Sequence, residues 1–256
     1  MSNIQGIKPE DLQKALDNIN ILPKHEQIEL LQLIEALEAK TQLSKRQNTF
    51  LDFVHHVYPG YKVGAHHAKL AKIFEEIAQG KKKRVIVNIA PRHGKSELIS
   101  YLAPAWFLGK YPHKKVIMAS HTADLAVNFG RRVRNLVGSE PYQEIFPAVS
   151  LQADSKSASR WGTNYNGEYF AIGVGGALAG RGADLFIIDD PHSEQDAKLG
   201  KAEVFLPAWE WFQSGPIQRL MPGGAIIVVM TRWSKLDLTG QIVNQMIKND
   251  DVDDWE

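Results

Sequence analysis

The chain reads as an α/β protein with a central, mainly parallel sheet flanked by helices and a helical segment ahead of it. Three observations predict this. Short apolar runs alternate with amphipathic helical stretches, and a strand–helix–strand–helix order makes a parallel sheet. One apolar run (Val85, Ile86, Val87, Ile89) opens through Ala90-Pro91-Arg92-His93-Gly94 into Lys95-Ser96-Glu97 and a helix. Another, Leu185-Phe186-Ile187-Ile188, ends in Asp189-Asp190-Pro191; four apolar residues in a row mark a strand buried on both faces.

In chain order, residues 1–47 form a polar, helical segment. Pro9-Glu10-Asp11 marks a helix start and Leu22-Pro23 a break; residues 24–40 then place Leu30, Leu33, Ile34 and Leu37 on one face. That stripe packs on the main domain or serves a partner. The main domain is expected over 48–249. Phe50, Phe53, Tyr58 and Tyr61 suggest a packed lead-in, and His66-His67 open a helix that ends at Gly80. Neighbouring helix positions do not face one another, so the two histidines are not read as a metal site. One of them, His67, is a candidate for touching the base or sugar of a nucleotide. Lys81-Lys82-Lys83-Arg84 reads as a solvated loop, or as help in holding polyphosphate or DNA.

After the Lys95 helix come a strand at 114–120 and a helix at 124–137, whose Leu125, Phe129, Val133 and Leu136 line one face. Its Arg131, Arg132 and Arg134 are a solvated surface or a phosphate contact for DNA. Residues 150–183 are rich in glycine, serine and aromatics, with a strand only at 168–173. Ala225 to Met230 is a further buried strand, ending in Thr231-Arg232-Trp233, and a helix follows Asp237. Residues 250–256 read as the start of a linker.

Strand, turn, Gly-Lys-Ser, helix is a construction that binds nucleoside triphosphates. Backbone N–H groups at the turn and helix head face the phosphates, where the helix dipole favours negative charge. Pro91, Arg92, His93, Gly94, Lys95, Ser96 and Glu97 are the candidate binding residues. Lys95 would reach the β- and γ-phosphates, and Ser96 would ligate Mg²⁺. The spacing GxxxxGK[ST] asks for glycine at position 89, which holds Ile89, so the alternative is a chance tripeptide at a strand–helix turn. Asp189 would hold Mg²⁺ and Asp190 would orient the attacking water; the alternative is a strand-end turn with a helix cap. Thr231 either senses the γ-phosphate or packs structurally.

Composition narrows the classes. The 256 residues are 44% hydrophobic and 23% charged, which is ordinary for a globular chain. There is no apolar run of about 18 residues, so no membrane partner is expected. Zero cysteines exclude disulfides and thiolate metal sites. A net charge of +1 gives no global pull toward nucleic acid, which leaves local basic faces.

These motifs together resemble the ATPase portion of large terminase subunits, the DNA-packaging motors of tailed double-stranded DNA viruses. The likeness rests on Ala90 to Glu97, Phe186 to Pro191, Gly180-Arg181-Gly182-Ala183-Asp184, and Met230 to Trp233 with Asp237. It implies a P-loop NTPase of the ASCE type and ATP with Mg²⁺ as cofactors. It also implies double-stranded DNA, a portal protein and a small terminase subunit as partners, and a ring of copies on the procapsid portal in the host cytoplasm. In that family the first loop glycine is often missing. Arg92 takes the place of an arginine contacting the γ-phosphate, Arg181 that of a finger reaching a neighbour's nucleotide, and Thr231 lies in the motif coupling hydrolysis to movement. The water-activating residue in related motors is commonly glutamate; Asp190 is one methylene shorter. The nuclease half of the family is not expected within these residues. A helicase-like ATPase and an assembly module with little activity alone are the alternatives.

Overall fold

The computed structural model describes residues 18–199, 201–249 and 253–256. The chain divides into two units, residues 1–46 and 47–256. In the first, a 3₁₀ turn (Ile19–Ile21) precedes α1 (Lys24–Asn48). The helix start read at Pro9 lies outside the described residues. Helix α1 runs past the predicted end at 40 because no glycine or proline interrupts residues 41–48. None of its residues is fully buried.

In the second unit the described residues build a seven-stranded sheet in the order β1-β7-β6-β2-β5-β4-β3. The strands are β1 (Arg84–Asn88), β2 (Lys115–Ser120), β3 (Leu151–Lys156), β4 (Arg160–Thr163), β5 (Glu168–Gly173), β6 (Ala183–Asp189) and β7 (Leu220–Met230). The first five in spatial order are parallel, and β4 and β3 are antiparallel. The antiparallel pair at 151–163 has no periodicity to announce it. It is held by tertiary contact: Trp161 stacks on its ladder partner Tyr169 with ring centroids 5.1 Å apart, and its Nε1–H donates to the Gly130 carbonyl at 3.1 Å.

Parallel register puts partnered residues on one face of the sheet. One face carries Phe186, Ile188, Ile226, Val228 and Met230, packed under Trp211 and Phe212 of α8 (Leu206–Ser214) and Leu238 and Ile242 of α9 (Leu238–Lys248). The opposite face carries Val116, Met118, Leu185, Ile187 and Asp189. It meets the helix after β1 and α5 (Ala123–Val137), whose Gly130 lies against Tyr169; the short helices α6 (Glu140–Ile145) and α7 (Glu194–Leu199) follow in the chain. An aromatic cluster joins α2 (Phe50–Val57), α3 (Ala65–Ala78) and α4 (Ala103–Lys110): Phe50 is 5.3 Å from Phe74 and 5.4 Å from Trp106.

The helix after β1 is π-wound over Glu97–Leu102 before it continues as α4. Ala103 N–H reaches back to Leu98. Pro104, in the first turn of α4, cannot donate and its ring crowds the turn behind it, so a widened turn accommodates it. Residues 253–256 belong to this unit. Ile86 N–H donates to Glu256 O at 2.8 Å and Glu256 N–H to Arg84 O at 3.1 Å, while Arg84 pairs with Asp253 at 2.6 Å. The last residues therefore run beside β1.

Gly130 sits mid-helix, where alanine normally stabilises. Here an added Cβ would lie 2.4 Å from the Ala158 carbonyl oxygen. Gly130→Ala is therefore expected to destabilise by about 1–3 kcal/mol, opposite in sign to helix propensity, as read by urea unfolding.

Candidate active site

The turn after β1 delivers Lys95 and Ser96 to a helix head. It is a strained turn: Arg92 has φ 63° and Gly94 φ 74°. A left-handed arginine costs about 1 kcal/mol. At Gly94 any side chain is also shut out, since a Cβ would stand 2.5 Å from His67 Nε2. The turn is braced from α3. His66 Nε2 and His67 Nε2 approach the His93 carbonyl at 3.0 and 2.9 Å, and a carbonyl only accepts, so both nitrogens carry hydrogen. Gly64 N–H donates to His67 Nδ1 at 3.0 Å, which fixes His67 as neutral. Burial lowers its pKa in the same sense. With both nitrogens engaged inside the protein, His67 props the turn. His93 closes the turn locally, its Nδ1 on the Pro91 carbonyl at 2.8 Å, and Arg92 is exposed.

Facing the turn is the end of β6. Asp189 is 1% exposed, and its two oxygens accept from Ser96 Oγ at 3.0 Å and Ser100 Oγ at 2.9 Å. Burial foremost, then the charge of Asp190, pushes the Asp189 carboxyl up to about 7, while the two hydroxyls and Lys95 pull the other way. Asp190 is left-handed at φ 41°. Its carboxylate takes Lys95 Nζ at 2.8 Å and Thr231 N–H at 3.0 Å. Thr231 also spends its hydroxyl on the Ile89 carbonyl at 3.3 Å. Lys95, Ser96, Asp189, Asp190 and Thr231 thus converge across β7, which lies between β1 and β6. Arg232 and the N–H groups of Trp233 and Ser234 turn to Asp237 Oδ2, whose other oxygen caps α9 through Gly240 N–H at 2.8 Å.

Two predicted residues stand elsewhere. Glu97 pairs with Arg132 of α5, whose guanidinium covers the Tyr101 ring at 4.0 Å. Arg181 precedes β6, so it lies a strand length of about 20 Å from Asp189. There it pairs with Glu168 at 2.9 Å and lies over Phe170 at 3.8 Å. Ser100 was missed in sequence, although its spacing from Ser96 puts both on one helix face. The Thr231 N–H, a backbone donor, leaves no sequence signal.

Asp189 and Ser96 offer hard oxygen donors, and the cost of a buried carboxylate charge suits a divalent cation. Among the described residues no group of three or more histidine, cysteine or carboxylate side chains forms a metal site. A Mg²⁺ ion completed by substrate phosphates and water does not need one.

A phosphate-type turn at a helix head beside β1, with paired acids two strands away, defines a P-loop NTPase fold of the ASCE type. Residues 86–202, a little under half of the chain, match the family described as terminase large subunit, T4-like-virus type, N-terminal. The crystal structure of the HK97 bacteriophage large terminase superposes with a TM-score of 0.54 at 16% identity. That match covers 80% of this chain and 42% of that one, so the chain spans less than half of that protein. A mutant of the Thermus phage P74-26 large terminase ATPase domain is 21% identical over 68% of this chain and 67% of that one, with a TM-score of 0.41. No curated protein sequence matches the chain. No helix among the described residues is long and apolar enough to cross a membrane.

Because the folded state raises the Asp189 pKa from 3.8 to about 7, it binds that proton more tightly than the unfolded chain. The resulting penalty is absent below pH 4, grows through pH 4–7 and is complete above it. Asp189→Asn is expected to stabilise the ligand-free protein at pH 8 by on the order of 3 kcal/mol, with the gain vanishing by pH 4. Thermal unfolding across that range measures it.

Proposed function

We propose that this chain hydrolyses ATP and that hydrolysis drives double-stranded DNA into a viral procapsid. The observation that carries the reading is the double contact of the helix head with the acid pair, Lys95 to Asp190 and Ser96 to Asp189. The match of residues 86–202 to the large-terminase N-terminal family supports the DNA-packaging context.

In this reading the turn opened by Pro91 presents the backbone N–H groups of residues 92–97 to the triphosphate, and Arg92 contacts the γ-phosphate. Lys95 exchanges the Asp190 carboxylate for phosphate oxygens. That exchange leaves Asp190 Oδ2 to accept from the attacking water and align it with the γ-phosphorus. Ser96 and Asp189 would hold Mg²⁺, which when bound neutralises charge on the phosphates. Thr231, fixed to both Asp190 and Ile89, carries a shift at the acid pair into the Arg232–Asp237 turn and α9. His67 acts as a brace for the loop and Glu97 as a partner of Arg132. Arg181 acts on a neighbouring copy, because one strand length separates it from its own acids. The working assembly is a ring on the portal in the host cytoplasm, with portal protein and small terminase subunit as partners. The domain division proposed is a helical segment over 1–47 and an ATPase domain from 48, with residues 253–256 lying beside its β1.

Lys95→Ala and Asp190→Asn are each expected to abolish ATP hydrolysis; turnover surviving both would reject the reading. Turnover per subunit should rise with protein concentration, and Arg181→Ala should slow it by about 10³ with ATP affinity unchanged. A flat concentration dependence removes Arg181 from that role and favours a module with little activity alone. Strand separation without any need for procapsids would point to a helicase-like ATPase instead.

A further inference from the structure

We propose that His121 is a positioning residue that holds Asp190 in its working conformation, an inference that rests on Asp190 being the water-orienting carboxylate. Asp190 occupies the left-handed region at φ 41°, which aspartate tolerates better than most residues and which neighbouring hydrogen bonds hold in place. Its carbonyl takes two donors from one residue: His121 N–H at 3.3 Å and His121 Nδ1 at 3.1 Å. A carbonyl cannot donate, so Nδ1 carries the hydrogen, and in the neutral ring the lone pair sits on Nε2. The placement follows from register. Ser120 at the end of β2 is the ladder partner of Asp189, so residues 121 and 190 leave the sheet side by side.

The other restraints on Asp190 are its own N–H on the Val229 carbonyl at 2.9 Å, Thr231 N–H on one carboxylate oxygen and Lys95 on the other. Lys95 is the one that substrate phosphate takes away. The aim of the carboxylate then depends on Thr231 N–H and on a backbone that His121 clamps from the far side. The clamp suits a short acid: aspartate has fewer torsions than glutamate with which to correct a misplaced backbone, so the backbone itself must be held. His121 touches neither the turn nor the helix head in any hydrogen bond among the described residues, which makes its part indirect.

The test compares His121→Ala, His121→Phe and His121→Asn with the parent chain in steady-state ATP hydrolysis, with Asp190→Asn alongside. Phenylalanine keeps a ring without a donor; asparagine returns an N–H near the place of Nδ1. Alanine and phenylalanine are expected to lower kcat by about 10² with KM for ATP unchanged, and asparagine to recover most of the loss. Long-range ¹H–¹⁵N NMR on the parent chain should find His121 as the Nδ1–H tautomer. A phenylalanine variant with parental kcat, asparagine no better than phenylalanine, or an Nε2–H tautomer overturns the proposal. If Asp190→Asn is inactive while His121→Phe is fully active, only the positioning role falls. If Asp190→Asn still turns over normally, the catalytic reading and this inference fall together.

Discussion

A carboxylate taken out of water governs how this molecule is built. Asp189 ends a strand that is buried on both faces, and its side chain is all but inaccessible. Leaving such a group without hydrogen bonds would cost more than most single contacts in a protein contribute. Two hydroxyls therefore have to arrive on one helix, one turn apart, and the helix has to sit close over the end of the sheet. Ser96 and Ser100 do this. The widened turn over Glu97–Leu102, forced by Pro104, lies in the same stretch and covers Ser100. Even with both hydroxyls in place the carboxyl stays hard to ionise, so the site stores a cost that a cation can relieve.

The backbone carries a second cost. Arg92 and Asp190 both lie in the left-handed region, on opposite banks of the site. Each is held by hydrogen bonds from neighbouring histidines. Histidines of α3 fix the carbonyl of His93 next to Arg92, and donors from the end of β2 fix the carbonyl of Asp190. Strain of this kind persists only where the surrounding structure over-determines it. The rigid parts supply that determination: a parallel sheet covered by α8 and α9 on one face, and an aromatic cluster that seats α2, α3 and α4.

Arg181 illustrates the reach of such a scaffold. It stands at the opposite end of β6 from the acids, stacked on Phe170 and paired with Glu168. A packed strand does not bend to close a gap of about 20 Å. Within one copy the residue is an ion pair at the starts of β5 and β6, and the proposed function has it act on a second copy.

Much of this was legible in the residues. Apolar runs specify buried strands because burial on both faces leaves no room for polar side chains. The Gly-Lys-Ser turn and the Asp-Asp end announce themselves because their chemistry depends on residue type. Gly94 is dictated locally only by its positive φ; the ring of His67, which stands where a Cβ would go, comes from a distant helix. What the chain could not reveal alone were matters of register and of backbone donors. Which strand separates β1 from β6, that Thr231 offers an amide as well as a hydroxyl, that His67 turns inward, and that His121 meets Asp190 all depend on pairings between distant segments. Such pairings are settled by packing the whole sheet at once, and a hydrogen bond given by a main-chain N–H is the same whatever residue supplies it.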